Sequence, residues 1–325
     1  MARLAPLPPT LLDRPFSRRE ARILGVTDGR LGSSDLVAPF HGVRVSRGCP
    51  AELRDLCRAL CLRMPEGTAL SHSTAAQLWG LPVPLYARSA AIDTSTRVPG
   101  QPMRVTGVVG HELSATLWRT RVRIERDFEL ADLWELSTLD PVVVWAQLAC
   151  THDVHDLVAM ADALLASGSP LAAFHDLERE AHAWRGMRGA TKLRRAVGLA
   201  RAGSRSRAES LLRLQLADAG IPVAVLNEPV FDPRGREIHV PDLQWPDYRV
   251  LVEFESAKFH LDKRKFRSDI TRFEEYADGG WTGIRVQSDD LYVDPNPTIG
   301  RIWRRLVANG WHPTREPAEV RPARL

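Results

Sequence analysis

The sequence predicts a mixed α/β protein in which helices lie against sheets of short strands. Two observations carry that expectation. The C-terminal third alternates segments of helical period with apolar runs of period two, in the order helix, three strands, helix, strand, helix. Upstream, 141–165 and 171–200 hold apolar residues at helical spacing, whereas 90–128 is rich in Val, Thr and Ile with Gly and Pro breaks, as short strands are. At 325 residues, with 44% hydrophobic and 26% charged residues, the chain is long enough for two domains with sizeable cores. No apolar run approaches membrane-spanning length and the N-terminus lacks the apolar core of a secretory signal, so a cytoplasmic protein with no membrane partner is expected. Cys57 and Cys61 share one helix face, Cys49 lies nearby and Cys150 is remote, a spacing that suits small core or surface residues better than a metal site.

The elements follow in order. The proline-rich start, to about Arg14, reads as extended or disordered. Ser17-Arg18-Arg19-Glu20 has the form of a capping box, opening a helix that stops at Gly25. A weaker helix covers Thr27 to Ser34, and 36–45 reads as two strands about a turn. Two helices and a β-wing within fifty residues suggest a winged helix-turn-helix. The stretch Thr27–Asp35 offers one arginine, two glycines and two aspartates, which is poor chemistry for a DNA groove. Helices are expected from Ala51 to about Met64 and within Leu70–Pro82. His152-Asp153-Val154-His155 has H-x-x-H spacing, but without a third ligand it reads as a polar helix start. Breaks at Ser167-Gly168-Ser169-Pro170 and Gly203-Ser204 bound the helical middle. In the last domain helices are expected over 206–219, 264–277 and 298–309, with strands over 223–230, 238–244, 249–255 and 282–286. Phe266, Ile270, Phe273 and Ala277 mark the apolar side of the second of these helices.

The net charge of +4 is unevenly spread. Nine acidic residues against one arginine occupy 125–162, and nine Lys or Arg against Glu209 occupy 185–213. The basic block is either a phosphate-binding surface or a solvated face of two helices, with no interleaved aromatics to stack on bases.

The segment from Val240 to Glu255 carries most chemistry. Pro246-Asp247 separates two apolar runs, as in a β-hairpin. Alternation sets Val250, Val252 and Phe254 on one face and Leu251, Glu253 and Glu255 on the other. A two-residue turn places Asp242 opposite Leu251, on the glutamates' face. Carboxylates crowded there call for a positive partner, and hard oxygen ligands suit Mg²⁺ or Mn²⁺.

The element order, with Val240-Pro241-Asp242 on one strand and Val252-Glu253-Phe254-Glu255 on the next, resembles the PD-(D/E)xK nuclease superfamily. It is most similar there to the very-short-patch-repair-like endonuclease domain of unknown function. Glu209, Trp245-Pro246, His260, Arg267 to Arg272 around Asp269, Gly280-Trp281, Arg285-Val286 and Asp290-Leu291 carry the likeness over roughly 203–310. Residues 12–90 resemble the N-terminal region of AbiEi-type antitoxins of type IV toxin–antitoxin systems, through Pro15-Phe16-Ser17, the segment 40–45 and the segment 70–82. The implied organisation is a winged-helix-like domain (1–50), an antitoxin-like α/β region (51–128), a helical linker (129–202), a restriction-endonuclease-like nuclease domain (203–312) and a tail (313–325).

The resemblance implies a Mg²⁺-dependent endonuclease acting on DNA. Asp242 and Glu253 match the metal ligands, with the Phe254 carbonyl as a third oxygen and Glu209 approaching from its helix. Glu209 also fits a capping box with Ser206. Glu255 stands where the superfamily generally places lysine, and it cannot donate a proton. Lys258 or His260 could take over, His260 as a base. Arg267 and Arg272, with Lys265, and Arg285 on the last strand are candidate phosphate contacts, although helix salt bridges such as Lys265–Asp269 and Arg272–Glu275 and neutralisation of Glu253 by Arg285 fit as well. Two other readings stay open: a non-catalytic DNA-binding regulator or antitoxin, with a cognate toxin as partner, and an interaction scaffold.

Overall fold

The computed structural model describes residues 4–49, 52–64, 68–88, 92–96, 104–108, 130–133, 136–255 and 263–325, with Thr96, 104–108, 130–133 and 263–270 described by backbone alone. The protein is mixed α/β and divides into two compact units, Met1–Leu81 with Ala87–Leu148 and Pro82–Tyr86 with Ala149–Leu325. Among the described residues no helix is long and apolar enough to cross a membrane.

The first unit opens with β1 (Phe16–Ser17), α1 (Arg18–Ile23), α2 (Asp28–Leu31), β2 (Leu36–Val37) and β3 (Val43–Ser46), the strands forming a sheet in the order β1-β3-β2. Ser17 caps α1 by accepting the Glu20 N–H at 3.0 Å, and Thr27 caps α2 from Arg30. The proline-rich start is neither extended throughout nor unpacked. Pro9–Leu11 is a turn of 3-10 helix, and Leu7 and Leu11 are buried with Phe16, Ala21, Val26, Leu31 and Leu36. Burying two leucines stabilises this short segment by a few kcal/mol, about 1.5–3 per side chain. Arg30, the sole arginine of the stretch read as groove-facing, is paired through two hydrogen bonds with Asp35.

The unit continues through α3 (Leu53–Cys61), β4 (Thr68–Leu70), α4 (His72–Leu78), β5 (Ile92–Thr96), β6 (Arg104–Val108), β7 (Leu130–Leu133), β8 (Leu136–Leu139) and α5 (Pro141–Leu148). Its sheet runs β6-β5-β4-β8-β7, antiparallel except for β4 with β8. Leu70 therefore ends a strand and does not open the next helix. No side chain of Ser71 caps α4; instead Asp93, from β5, accepts the Ser73 and Thr74 N–H groups. Burial raises that carboxyl to about 6 against the pull of those bonds. Every residue of α5 is buried, as its nearly continuous apolar sequence requires.

The second unit comprises α6 (Val154–Leu164), α7 (Phe174–Ala183), α8 (Ala190–Leu199), α9 (Arg207–Asp218), β9 (Val225–Leu226), β10 (Val230–Phe231), β11 (Glu237–His239), β12 (Leu243–Trp245), β13 (Val250–Glu255), α10 (Lys263–Asp278), β14 (Thr282–Gln287), α11 (Ser288–Tyr292) and α12 (Asn296–Ala308). Four strands form a mixed sheet in the order β14-β13-β12-β9, with β13 and β14 parallel and joined through α10. A parallel pair needs such a crossover. One core contains Val250, Val252, Ile284 and Val286 with Leu212, Leu216, Ile302 and Leu306 of the helices. The other contains Leu251 with Val230, Tyr276 and Trp281. Both faces of β13 are thus packed, as in a central strand.

The acidic and basic stretches of the sequence meet inside this unit. Asp156 of α6 pairs with Arg207 at 2.7 Å and Asp162 with Arg213 at 2.8 Å, all four side chains largely buried. Arg207 and Arg213 are therefore internal ties and not part of a phosphate-binding face. At the H-x-x-H segment, Asp153 caps α6, His152 is buried and His155 pairs with Asp218 at 3.0 Å.

Candidate active site

The hairpin differs from its expected register. Pro246–Tyr248 form a 3-10 turn and Arg249 adopts a left-handed conformation, φ +48°, so four residues connect the strands in place of two. Leu243 pairs with Val252 and Trp245 with Val250, which continues to Asp242 opposite Glu253. The shift is two residues, an even number, so Asp242 keeps the glutamates' face but lies beside the carboxylate it was expected to serve with. The expected strand 238–244 is interrupted at Pro241, which cannot donate to a ladder. Its first part pairs in the β10–β11 hairpin and its second in the main sheet; the expected strand 223–230 is split likewise into β9 and β10.

Three carboxylates come together here. Asp242 Oδ2 accepts the Phe254 N–H at 2.7 Å. Burial pushes its carboxyl up to about 7; the Phe254 N–H opposes this, the Glu209 and Glu253 carboxylates add to it, and Arg272 offsets part. Glu253 is buried, accepts the Tyr276 hydroxyl at 2.6 Å and lies 3.8 Å from Arg272. Burial, then its bond to Glu253, holds the Tyr276 hydroxyl well above the usual phenol range. Glu209 is buried at the start of α9. Its N–H bonds Ser206 Oγ, and Oε2 accepts from Arg205 N and Asn227 Nδ2, each at 2.8 Å. The reciprocal half of the expected capping box thus goes to Arg205, one residue before the cap.

Glu255 is half-buried 3.2 Å from Arg285, whose guanidinium lies 4.3 Å over the Phe273 ring. Arg285 is in register with Glu253 across the parallel pair, and its guanidinium approaches Glu255. Arg272 approaches both Glu253 and His239, the latter at 3.2 Å. Lys258 and His260 lie outside the described residues, and Arg267, Lys265 and Asp269 are placed only as backbone positions of α10.

Tyr276, Asn227 and His239 were not singled out by sequence reasoning. Along the part of α10 whose side chains are described, Tyr276 is buried and Phe273 partly buried, as expected of Phe273, whereas Ala277 is exposed, a correction at that position. Tyr276 four residues after Arg272 was the available signal, since both project from one helix face.

Among the described residues no three His, Cys, Asp or Glu side chains stand at metal-holding spacing. The donor chemistry nonetheless suits a hard cation: the carboxylates are oxygen donors, and those of Glu209 and Asp242 use one oxygen each in described hydrogen bonds. The Tyr276 and Arg272 contacts of Glu253 both fall on Oε1.

No family model matches the chain, and no solved structure matches it. Two curated relatives, uncharacterized proteins of Mycobacterium tuberculosis strains CDC 1551 / Oshkosh and ATCC 25618 / H37Rv, are each 26% identical to it over 280 residues, covering 86% of this chain and 95% of their own length. The likeness extends across both units and brings no activity with it.

Proposed function

We propose that the second unit is a divalent-cation-dependent DNA endonuclease of restriction-endonuclease-like fold, and that the first fifty residues are a winged-helix module in an antitoxin-like N-terminal region. The observation that carries this reading is the buried Asp242 carboxyl, close enough to Glu209 and Glu253 to feel both charges and raised to about 7 by burial first and by those carboxylates in addition, with Arg272 offsetting part. Structural carboxylates are ordinarily paired down in pKa; a crowded acidic cluster suits a site built to receive a cation. Asp242 and Glu253 would hold Mg²⁺ or Mn²⁺, with Glu209 as a third oxygen donor. When bound, such a cation polarises a phosphoryl oxygen and makes a bound water a better nucleophile. Arg272 balances the carboxylates, and Arg285 keeps Glu255 neutralised where a lysine would otherwise stand.

A second reading has its own support. Glu253 already has Tyr276 and Arg272, and Glu255 has Arg285. Carboxylates satisfied internally fit a non-catalytic DNA-binding regulator, antitoxin-like, that retains the fold as a platform. Plasmid cleavage with Mg²⁺ or Mn²⁺, lost in Asp242→Ala and in Glu253→Ala, supports the nuclease. Wild-type protein that shifts DNA but cuts no substrate supports the regulator. Absence of salt-dependent DNA binding sinks both.

A further inference from the structure

Asn227 stands between the helix and the hairpin that bring the carboxylates. Its Nδ2 donates to Glu209 Oε2 and to the Gly203 carbonyl, both at 2.8 Å, and its backbone N–H donates to the Asp242 carbonyl at 3.2 Å. The two side-chain acceptors fix the amide orientation, because a reversed amide would set oxygen against two oxygens. Oδ1 is thereby directed elsewhere, and it is buried with no hydrogen-bond partner among the described residues. The backbone is in the left-handed region, φ +51°, which costs any residue with a Cβ and costs Asn least. An orphan buried oxygen and a strained φ coincide at the residue that ties Glu209 to the Asp242 segment. Both features are unfavourable for stability, and their coincidence points to a requirement of the site.

We infer that Asn227 is a positioning residue: its amide fixes Glu209 within the carboxylate cluster, and its Oδ1 is the acceptor kept for a water on the bound cation. This rests on the metal-dependent reading above. The test uses Asn227→Gly in the full-length protein, since glycine adopts the same φ freely and removes only the amide. Mn²⁺ is titrated calorimetrically into wild type and variant, with metal-free DNA affinity and melting temperature measured alongside. The expected result is a cooperatively melting folded variant, unchanged DNA affinity and a Mn²⁺ dissociation constant raised about 10–100-fold, as when an outer partner of a metal ligand is lost. Wild-type Mn²⁺ affinity in a folded Asn227→Gly protein overturns the inference. Should wild type bind no Mn²⁺, the metal reading fails by itself. Positioning of Glu209 is then decided by melting of Asn227→Gly, Glu209→Gln and the double variant: non-additive effects support it, and additive effects overturn it.

Discussion

At the scale of the residue, Asp242 decides most. Its folded pKa, about 7, lies above the usual 3.8, so the folded state holds a proton that the unfolded chain has released. That excess of protons in the folded state makes stability fall as pH rises from about 4 to 7. Asp242→Asn removes the charge and keeps an acceptor for the Phe254 N–H. It should therefore stabilise the protein by about 1–3 kcal/mol at pH 8, with a gain that shrinks towards pH 5, as read from urea denaturation at the two pH values. A flat difference across that range would mean that Asp242 is ionised without penalty. Tyr276→Phe tests the neighbouring contact. Leaving buried Glu253 without its hydroxyl donor should cost about 1–3 kcal/mol in the same assay, and no loss would show that Glu253 is held otherwise.

At the scale of the element, caps and strand alternation account for where the site residues stand. Much of this was legible beforehand: Ser17, Ser206, Gly25, Gly220 and Gly280 bound helices close to where their chemistry requires, and 250–255 forms one strand. The hairpin connection was not legible, because a 3-10 turn with a left-handed Arg249 carries no Asn-Gly or Gly signal. Neither was the division at Pro241 into strands of two sheets, which depends on where β10 and β9 find partners. The roles of Tyr276 and Asn227 arise only from tertiary contact, and no local period reports them. The burial of Arg207 and Arg213 against acids on α6 was not legible from the charge blocks either. Removing one partner leaves a buried charge unpaired, so Asp162→Ala should destabilise by about 3–5 kcal/mol. The double variant Asp162→Ala with Arg213→Met should recover much of that loss. A loss below 1 kcal/mol in chemical denaturation would mark the pair as solvated.

At the scale of the whole molecule, the candidate site is contained in the second unit. Helices 149–202 belong to the same unit as the C-terminal sheet, tied to it by the two buried ion pairs. A fragment spanning 149–325 should therefore unfold cooperatively and match the full chain in Mn²⁺ titration; a fragment starting at 203 loses Asp156 and Asp162 and should be far less stable. Equal melting of the two fragments would contradict that dependence. Fold class was readable from the helix and strand periods of the C-terminal third, and the shared face of Asp242, Glu253 and Glu255 from 240–255, whereas their register and the approach of Glu209, Tyr276 and Arg272 depend on tertiary contact. A crystal of the full-length protein soaked in Mn²⁺ at pH 8, read by anomalous scattering, tests cation uptake at the cluster most directly. The expected result is one Mn²⁺ peak touching Asp242 and Glu253 together. A cluster without a peak would contradict the metal-dependent nuclease.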